Sequence, residues 1–588
     1  MKSFMTQKDD VQLRLEAFSG LQACAPQKGG TGARELRNLR CMPDGTLTVR
    51  EGVRTLVKLP EMLRGAVWDE TRQVIYAAAG EHAYAISEGA DGAHSWEVIG
   101  TLQSGSGAVD FFSLDDRYVM MDGVRMYSLM PDAAEVITPY IPLYGKDWTG
   151  VSSTDVCEQR NILTDQVRVR YLQKDLTYTI RLSVTPLSID AIYRDGVLLS
   201  PDAYTHYEGT GDISFHSQLD IGAVFDIILT LPPDEQALRM REDFLRCRCA
   251  VRPGERGRTV MLFGGSGESG VLYLSEELTR EQREACYKFV PQAVMLYLQS
   301  EGRHELGDGA QDIRAMVRHY DRTLIMTPKG TGTTDMRRLR GLDGEETFLA
   351  VNSTMGCSSV GGALAVGNSP MSICGGDILL WNADTDELDQ CNAQSMAQKV
   401  RTLLPPALGE IGRVYYDGKH DEVIFYLPGA QVPSMIWQRT LQSWTVFAYG
   451  TQPIQGVFAL GGDKGLLLGD TVCVSEEGLA YDVDADGHAQ PIACRFASHD
   501  LDFEHQGAAV RPYAALVCVD AANGQIMTLS LRAAGGKVAT VSLQATEDTP
   551  CEMQKRLSVG RCRHARLELS CDCLGAFAVR MICIAAGK

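Results

Sequence analysis

Asp482, Asp484, Asp486 and Gly487 stand in the DxDxDG order that opens a calcium loop, in which alternate carboxylates converge on a hard cation and glycine allows the sharp turn. The twelfth position from Asp482 is Ala493, where such a loop needs a bidentate glutamate, so an acidic turn between domains is the better reading. Asn382, Asp384 and Asp386 form a weaker version and read as a solvated turn. His499, Asp500, Asp502, Glu504 and His505 are a dense run of metal-ligating types. Alternation along a strand puts the three acids on one face and the two histidines on the other, which splits the set and predicts an exposed polar strand. Gly264-Gly265-Ser266-Gly267 and Lys329-Gly330-Thr331-Gly332-Thr333-Thr334 are glycine-rich enough to cradle phosphate. Neither carries GxxxxGK followed by Ser or Thr, and neither opens a helix, so both read as hairpin tips.

None of the 11 histidines lies in HExxH and no serine lies in GxSxG. A glycosidase would need two carboxylates roughly 5 to 10 Å apart in a cleft, which sequence spacing does not reveal. Arg337-Arg338-Leu339-Arg340 and Arg246-Cys247-Arg248 have the charge to meet phosphates, but read as solubilising charge on edge strands. No catalytic, cofactor-binding or metal-ligating residue is therefore assigned. The residues alone call for no cofactor and leave a polysaccharide-degrading enzyme as the less favoured alternative.

Composition supports a folded chain of two to four domains: 588 residues, 45% hydrophobic and 22% charged. No apolar run approaches the roughly 20 residues of a membrane helix, and the first residues lack a signal-peptide core. The net charge of −19 argues against gripping nucleic acid through its phosphates; it fits a lumen along which DNA slides and equally an ordinary solvated acidic surface. The 17 cysteines include no CxxC pair and read as small buried hydrophobes in a reducing compartment.

Elements that would position any site are strands. From 411 to 449, aromatic and β-branched runs are cut by Asp417-Gly418, Leu427-Pro428-Gly429 and Arg439 to Ser443 at strand-length intervals. Four short antiparallel strands result, the pattern of one propeller blade. Gly65, Val67, Trp68, Asp69, Val74, Ile75, Tyr76, Ser95, Trp96 and Val98 repeat the order of Gly412, Val414, Tyr415, Asp417, Val423, Ile424, Tyr426, Ser443, Trp444 and Val446. Degenerate copies are read at 108–129, 246–275, 313–326, 361–381 and 456–481. Short helices are expected at 276–287 and 393–404.

The fold class that follows is all-β: a β-propeller with an inserted β-sandwich and a C-terminal, jelly-roll-like β-sandwich. The expected divisions are 1–144 for the first part of the propeller, 145–235 for the insertion, 236–489 for the second part and 490–588 for the C-terminal sandwich. An N-terminal strand is expected to complete the last blade and hide its edge.

Pro43-Asp44-Gly45 with Arg50-Glu51-Gly52, Tyr140-Ile141-Pro142 followed by Asn161-Ile162-Leu163, and Ser443-Trp444-Thr445-Val446-Phe447 follow one another in a telling order, as do the segments 313–326, 361–381 and 492–584. In that order the chain resembles bacteriophage tail proteins that carry a β-propeller, the tail hub or nozzle group that includes the packaged-DNA stabilisation proteins of short-tailed phages. It departs from the group's pattern in having Arg-Glu-Gly where Arg-Pro-Gly is expected, and in its many cysteines. The resemblance implies a structural virion protein without catalytic residues, forming a homo-oligomeric, hexameric ring around the DNA exit channel. It also implies contacts with other tail, portal or adaptor proteins and tail fibres, DNA passing through the lumen without sequence-specific binding, and a place in the virion tail after assembly in the host cytoplasm. The alternatives are a glycan- or receptor-binding propeller, with Trp148, Tyr204 and Tyr207 as contact residues, and a polysaccharide-degrading enzyme.

Overall fold

The computed structural model describes residues 11–24, 32–114, 116–146, 158–251, 259–265, 270–306, 312–320, 322–334, 339, 348–382, 389–404, 412–427, 432, 434–449, 454–505, 508–546 and 551–587. They are overwhelmingly β, and they divide into two units: 1–101, 314–335 and 349–588 form one, 102–313 and 336–348 the other.

In the first unit the stretch 411–449 forms the four antiparallel strands Arg413–Asp417, Glu422–Tyr426, Ser434–Gln438 and Ser443–Val446. Its upstream copy forms Leu63–Asp69, Val74–Ala79, His82–Glu88 and His94–Thr101. The two share their first turn in detail: Asp69 lies opposite Val74 and Asp417 opposite Glu422, and the turn ends on a left-handed residue, Gln73 at φ 55° and Asp421 at φ 53°. Middle strands such as Val74–Ala79 and Ser434–Gln438 are buried along their whole length, because both faces are covered by neighbouring sheets. The meanders 315–352, 363–395, 413–446, 454–476 and 63–101 follow one another in that order, first strand packed against first strand. A row of inner strands with later strands stepping outward is the arrangement of propeller blades.

The meander 454–476 has only three strands of its own, and the fourth, Gly52–Lys58, comes from the N-terminal part of the chain and pairs with Thr471–Glu476. The N-terminal strand that completes a blade is thus Gly52–Lys58, not the extended stretch Val11–Leu15, which pairs with the last strand, Phe577–Gly587. Ala33–Arg37 lies between Ser443–Val446 and Ile492–Asp502, so blade 413–446 and one layer of the C-terminal sandwich form a single nine-stranded sheet. The hairpin Leu39–Cys41 and Leu47–Val49 joins the opposite layer. Strict alternation of buried and open positions along His564–Cys573 marks a sheet with one face on a core, here built around Phe496, Val517, Leu529, Leu567 and Ile582.

The second unit holds the meanders 110–136 and 249–305, again with first strands in contact, and a small sandwich. Its layers are a five-stranded sheet (Leu143–Lys146, Gln166–Leu172, Val224–Thr230, Ser188–Arg194, Val197–Leu198) and a three-stranded one (Thr177–Arg181, Asp212–Leu219, Tyr204–His206), closed on Val169, Ile180, Ile192, Ile213 and Phe225. Asn161 anchors the chain beside this insertion: its amide donates to the carbonyls of Tyr140 (2.8 Å) and Leu296 (3.0 Å), and its Oδ1 accepts from Leu163 and Leu298 N–H. A fully satisfied buried amide of this kind fixes two chain segments at once.

The helices differ from expectation. Helix α1, Glu235–Leu245, was not legible as such; Asp234 caps it through the N–H groups of Gln236 and Ala237. Helix α2 covers only Arg280–Tyr287, beginning at a Thr279–Gln282 capping box. The segment 393–404 is not a helix: Ala393–Ser395 is the outer strand of its blade, followed by single 3₁₀ turns at Ala397–Lys399 and Arg401–Leu403. Completing the ladder to Asp377–Trp381 takes precedence over the local 3.6 periodicity.

Every cysteine among the described residues is a free thiol. Burial pushes Cys41, Cys357 and Cys473 up to about 12, which suits their reading as small buried hydrophobes.

Candidate functional site

A dense group of charged side chains lies where Gly52–Lys58 enters its blade, and the Arg50-Glu51-Gly52 triplet builds it. Gly52 is required by space: a Cβ there would lie 1.8 Å from the Tyr481 carbonyl oxygen. Arg50, 1% exposed, forks onto Asp482 with bonds of 2.8 and 2.7 Å. It also donates to the carbonyls of Glu51 (2.8 Å) and Ala448 (3.0 Å) and to Asn38 Oδ1 (3.2 Å), and its guanidinium lies 4.1 Å from the Tyr449 ring centre.

Glu51 accepts from His420 Nε2 at 2.8 Å and from Ser475 Oγ at 3.0 Å. His420 Nδ1 donates to Asp417 Oδ2 at 2.8 Å, and the same oxygen accepts from Lys464 Nζ at 2.6 Å. Asp417 and Glu422 are direct cross-strand partners, a like-charge pairing that would repel if left alone. Lys464 on one side and Arg40, 2.6 Å from Glu422, on the other supply the balancing cations.

The electrostatics follow from these contacts. Hydrogen bonds to Asp417 and Glu51 raise His420 to about 9, against the opposing pull of burial and Arg40. Burial alone would raise Glu51 and Asp417, but His420 holds Glu51 down at about 2, and His420 with Lys464 holds Asp417 lower still. Burial likewise works against the charge of Lys464, and the surrounding Tyr449, Asp417 and Glu422 overcome it, keeping the ammonium charged.

This arrangement decides what His420 can do. Both ring nitrogens face carboxylate oxygens, so both must carry protons, and an imidazolium has no lone pair with which to act as a base or a metal ligand. Asp417, His420 and Glu422 are close enough together to suggest a cation site, yet Lys464 and Arg40 already occupy their carboxylates. The group is an electrostatic clamp joining three segments distant in sequence, not a reaction centre.

The residues singled out from sequence fall elsewhere. Asp482 is taken by Arg50 and by the Val53 N–H, and Asp484 accepts from the N–H groups of Asp486 and His488 and from Gln490, a self-contained acidic turn. Along Ile492–Asp502 the register shifts between Ala497 and Asp500; His499 Nε2 donates to the Gln22 carbonyl and Asp500 pairs with Arg566, so these two side chains are engaged apart from each other. Lys329 lies in the turn before strand Gly330–Thr334, and Gly264, at φ 75°, follows strand Met261–Phe263. Arg246 caps the end of helix α1 and Cys249 begins the next strand, so Arg246-Cys247-Arg248 lies in a helix-to-strand turn instead of along an edge strand. Tyr204 packs against Phe215, and Tyr207 is exposed. Trp148, Asp384, Asp386, Ser266, Gly267, Arg337, Arg338 and Arg340 lie outside the described residues. Sequence reading missed the clamp because Asp417-Gly418-Lys419-His420-Asp421 looks like an ordinary polar turn. The one available signal was the Arg50-Glu51-Gly52 triplet, singled out there only as a mark of family likeness.

No family model and no curated relative matches this chain. Among solved structures it is similar to PorZ, a bacterial surface component of the type-IX secretion system of Porphyromonas gingivalis, at 10% identity over 85% of this chain, with a TM-score of 0.34. The match covers 46% of PorZ, so the chain spans about half the length of that protein. It is also similar to the WD40 domain of Neurospora crassa Pan2 (8% identity, 74% of this chain and 98% of that one, TM-score 0.34). A third is an exo-β-1,3-galactanase of Phanerochaete chrysosporium (8% identity, 90% and 100%, TM-score 0.20). Likenesses this remote assign no role.

Proposed function

We propose that this chain is an architectural protein of a bacteriophage tail or head-to-tail conduit, with no catalytic task. Its copies close a symmetric, hexameric ring around the DNA exit channel and help retain and then release the genome. DNA would pass through the lumen without sequence-specific contacts, and portal, adaptor or other tail proteins would flank the ring in the virion, after assembly in the host cytoplasm. Among the described residues no helix is long and apolar enough to cross a membrane.

The observation that carries this reading is the free end of the inserted sandwich. Strand pairings bring three connections to that end: Leu172 lies opposite Val224, Thr177 opposite Leu219, and Arg194 opposite both Phe225 and Val197. The connections are bonded to one another, Gly222 N–H to the Gln173 carbonyl and Asp195 N–H to the Val224 carbonyl, with Arg194 paired to Asp220. This hydrogen-bonded tip leaves Leu176, Val197, Leu198 and Ile221 about 60% exposed, at 61, 67, 58 and 62%. Exposed aliphatic side chains at one hydrogen-bonded end of the sandwich mark a contact surface, and a neighbouring copy in a ring is a natural cover for it.

Leu198→Asp combined with Ile221→Asp tests this. Sedimentation should show the wild-type chain, with its tail neighbours present, assembling into rings, and the variant remaining smaller with an unchanged circular dichroism spectrum. Rings of unchanged mass in the variant would remove the tip from the ring contact, and a wild-type chain that forms no ring with its tail neighbours present would refute the reading.

A further inference from the structure

We propose that a cleft on the C-terminal sandwich, of about 290 Å³ and lined by Arg34, Arg37, Arg495 and Arg566, binds an anionic sugar, a uronic acid or a sugar phosphate.

The cleft is built by two irregularities in neighbouring strands. The pairing of Ala33–Arg37 with Ile492–Asp502 shifts between Ala33 and Glu35, and that of Ile492–Asp502 with His564–Cys573 shifts between Ala497 and Asp500. A bulge turns an extra side chain toward a face it would otherwise avoid, and bulges gather beside binding sites. Here the first one brings Arg34 to the cleft beside Glu35 and Arg37.

The charges are placed in a way that stability alone does not favour. Arg37 lies directly opposite Arg495, and Arg566 directly opposite Arg532. Like charges so placed repel each other. Glu35 at 3.3 Å and Glu568 at 3.8 Å offset Arg495, and Asp500 at 3.2 Å offsets Arg566. Among the described residues Arg34 and Arg37 have no acidic partner, and Arg566 Nε is buried without a hydrogen-bond acceptor. Four arginines against Glu35 and Glu568 make this lining net positive on a chain whose net charge is −19.

The ligand class follows from the mixture of groups. Guanidinium forks match the planar or tetrahedral oxygens of a carboxylate or phosphate. Glu35 and Glu568 would repel an extended polyanion, but they accept hydrogen bonds from hydroxyl groups. Leu403 and Val432, both half-buried, offer aliphatic surface for ring C–H groups, and no aromatic side chain among the described residues lines the cleft to stack a nucleobase. The volume sits at the lower end of the roughly 300–1,000 Å³ of small-molecule sites.

Calorimetric titration of the full chain with glucuronate, glucose 6-phosphate, glucose and inorganic phosphate tests the assignment. One site per chain is expected. It should take either glucuronate or glucose 6-phosphate at least about tenfold more tightly than glucose or inorganic phosphate, and the stronger of the two identifies the anionic group. Arg34→Gln and Arg37→Gln, both at exposed positions, should each weaken that ligand by about tenfold or more with the melting temperature unchanged. Glucose binding as well as glucuronate, phosphate binding as well as either anionic sugar, affinity untouched by both substitutions, or no binding of any probe would each overturn the proposal.

Discussion

Replacing Arg50 by Met is expected to lower the unfolding free energy of the unit that contains it by roughly 3–5 kcal/mol, the cost of breaking a buried ion pair from one side. The guanidinium is 1% exposed and holds together Asp482, the carbonyls of Glu51 and Ala448, and Asn38. Methionine fills much of the volume over Tyr449 but leaves the Asp482 carboxylate, 17% exposed, without its cation. Urea unfolding followed by tryptophan fluorescence should show the midpoint falling. Adding Asp482→Leu should restore a large part of the loss, because the stranded charge is then gone as well. Lysine at position 50 should recover less than the charge alone suggests, since an ammonium does not make the two parallel bonds. A shift within about 0.5 kcal/mol for Arg50→Met would mean that the Arg50–Asp482 pair does not hold these segments together.

The second large effect is a pH profile set by the His420 clamp. His420 is raised from an ordinary 6.5 to about 9, so its stabilisation is complete below pH 6.5 and fades as pH rises through about 9. Glu51 and Asp417 are depressed, so their contribution is complete above the ordinary carboxylate range and fades as pH falls from about 4.5 toward 2. Stability of this unit should therefore peak between about pH 4.5 and 6.5. The alkaline limb corresponds to roughly 3 kcal/mol for a shift of this size at a side chain that is 15% exposed. His420→Gln should flatten the alkaline limb, lowering stability at pH 6 by a similar amount and leaving it nearly unchanged above pH 9. If the wild-type midpoint stays constant from pH 6 to 9.5, His420 is not the shared proton donor described here.

The blades were legible because their information is local. In Val423, Ile424 and Phe425, or Val74, Ile75 and Tyr76, the apolar runs and the turns that bound them lie within one blade length. The all-β class and the blade pattern came from such runs. What was hidden is what joins segments far apart in sequence. Nothing near Ala33–Arg37 announces that it will lie between Val446 and Arg495, because one strand can pair with many others and only the assembled layers select the partner. Helix α1 was missed because charged residues surround its two buried positions, Met240 and Phe244, which diluted its periodicity. The segment 393–404 failed in the opposite direction: its apolar spacing looked helical, while the blade needed an outer strand. The clamp was unreadable for a similar reason, since Glu51, His420 and Lys464 become neighbours only when strand Gly52–Lys58 crosses from the N-terminal part of the chain to complete its blade.

The native mass of this protein in purified virus particles is the most direct test of its proposed architectural role. A closed ring of identical copies, hexameric and located at the channel through which DNA leaves, is the predicted result. A chain that is strictly monomeric at all concentrations and absent from the particles would contradict it.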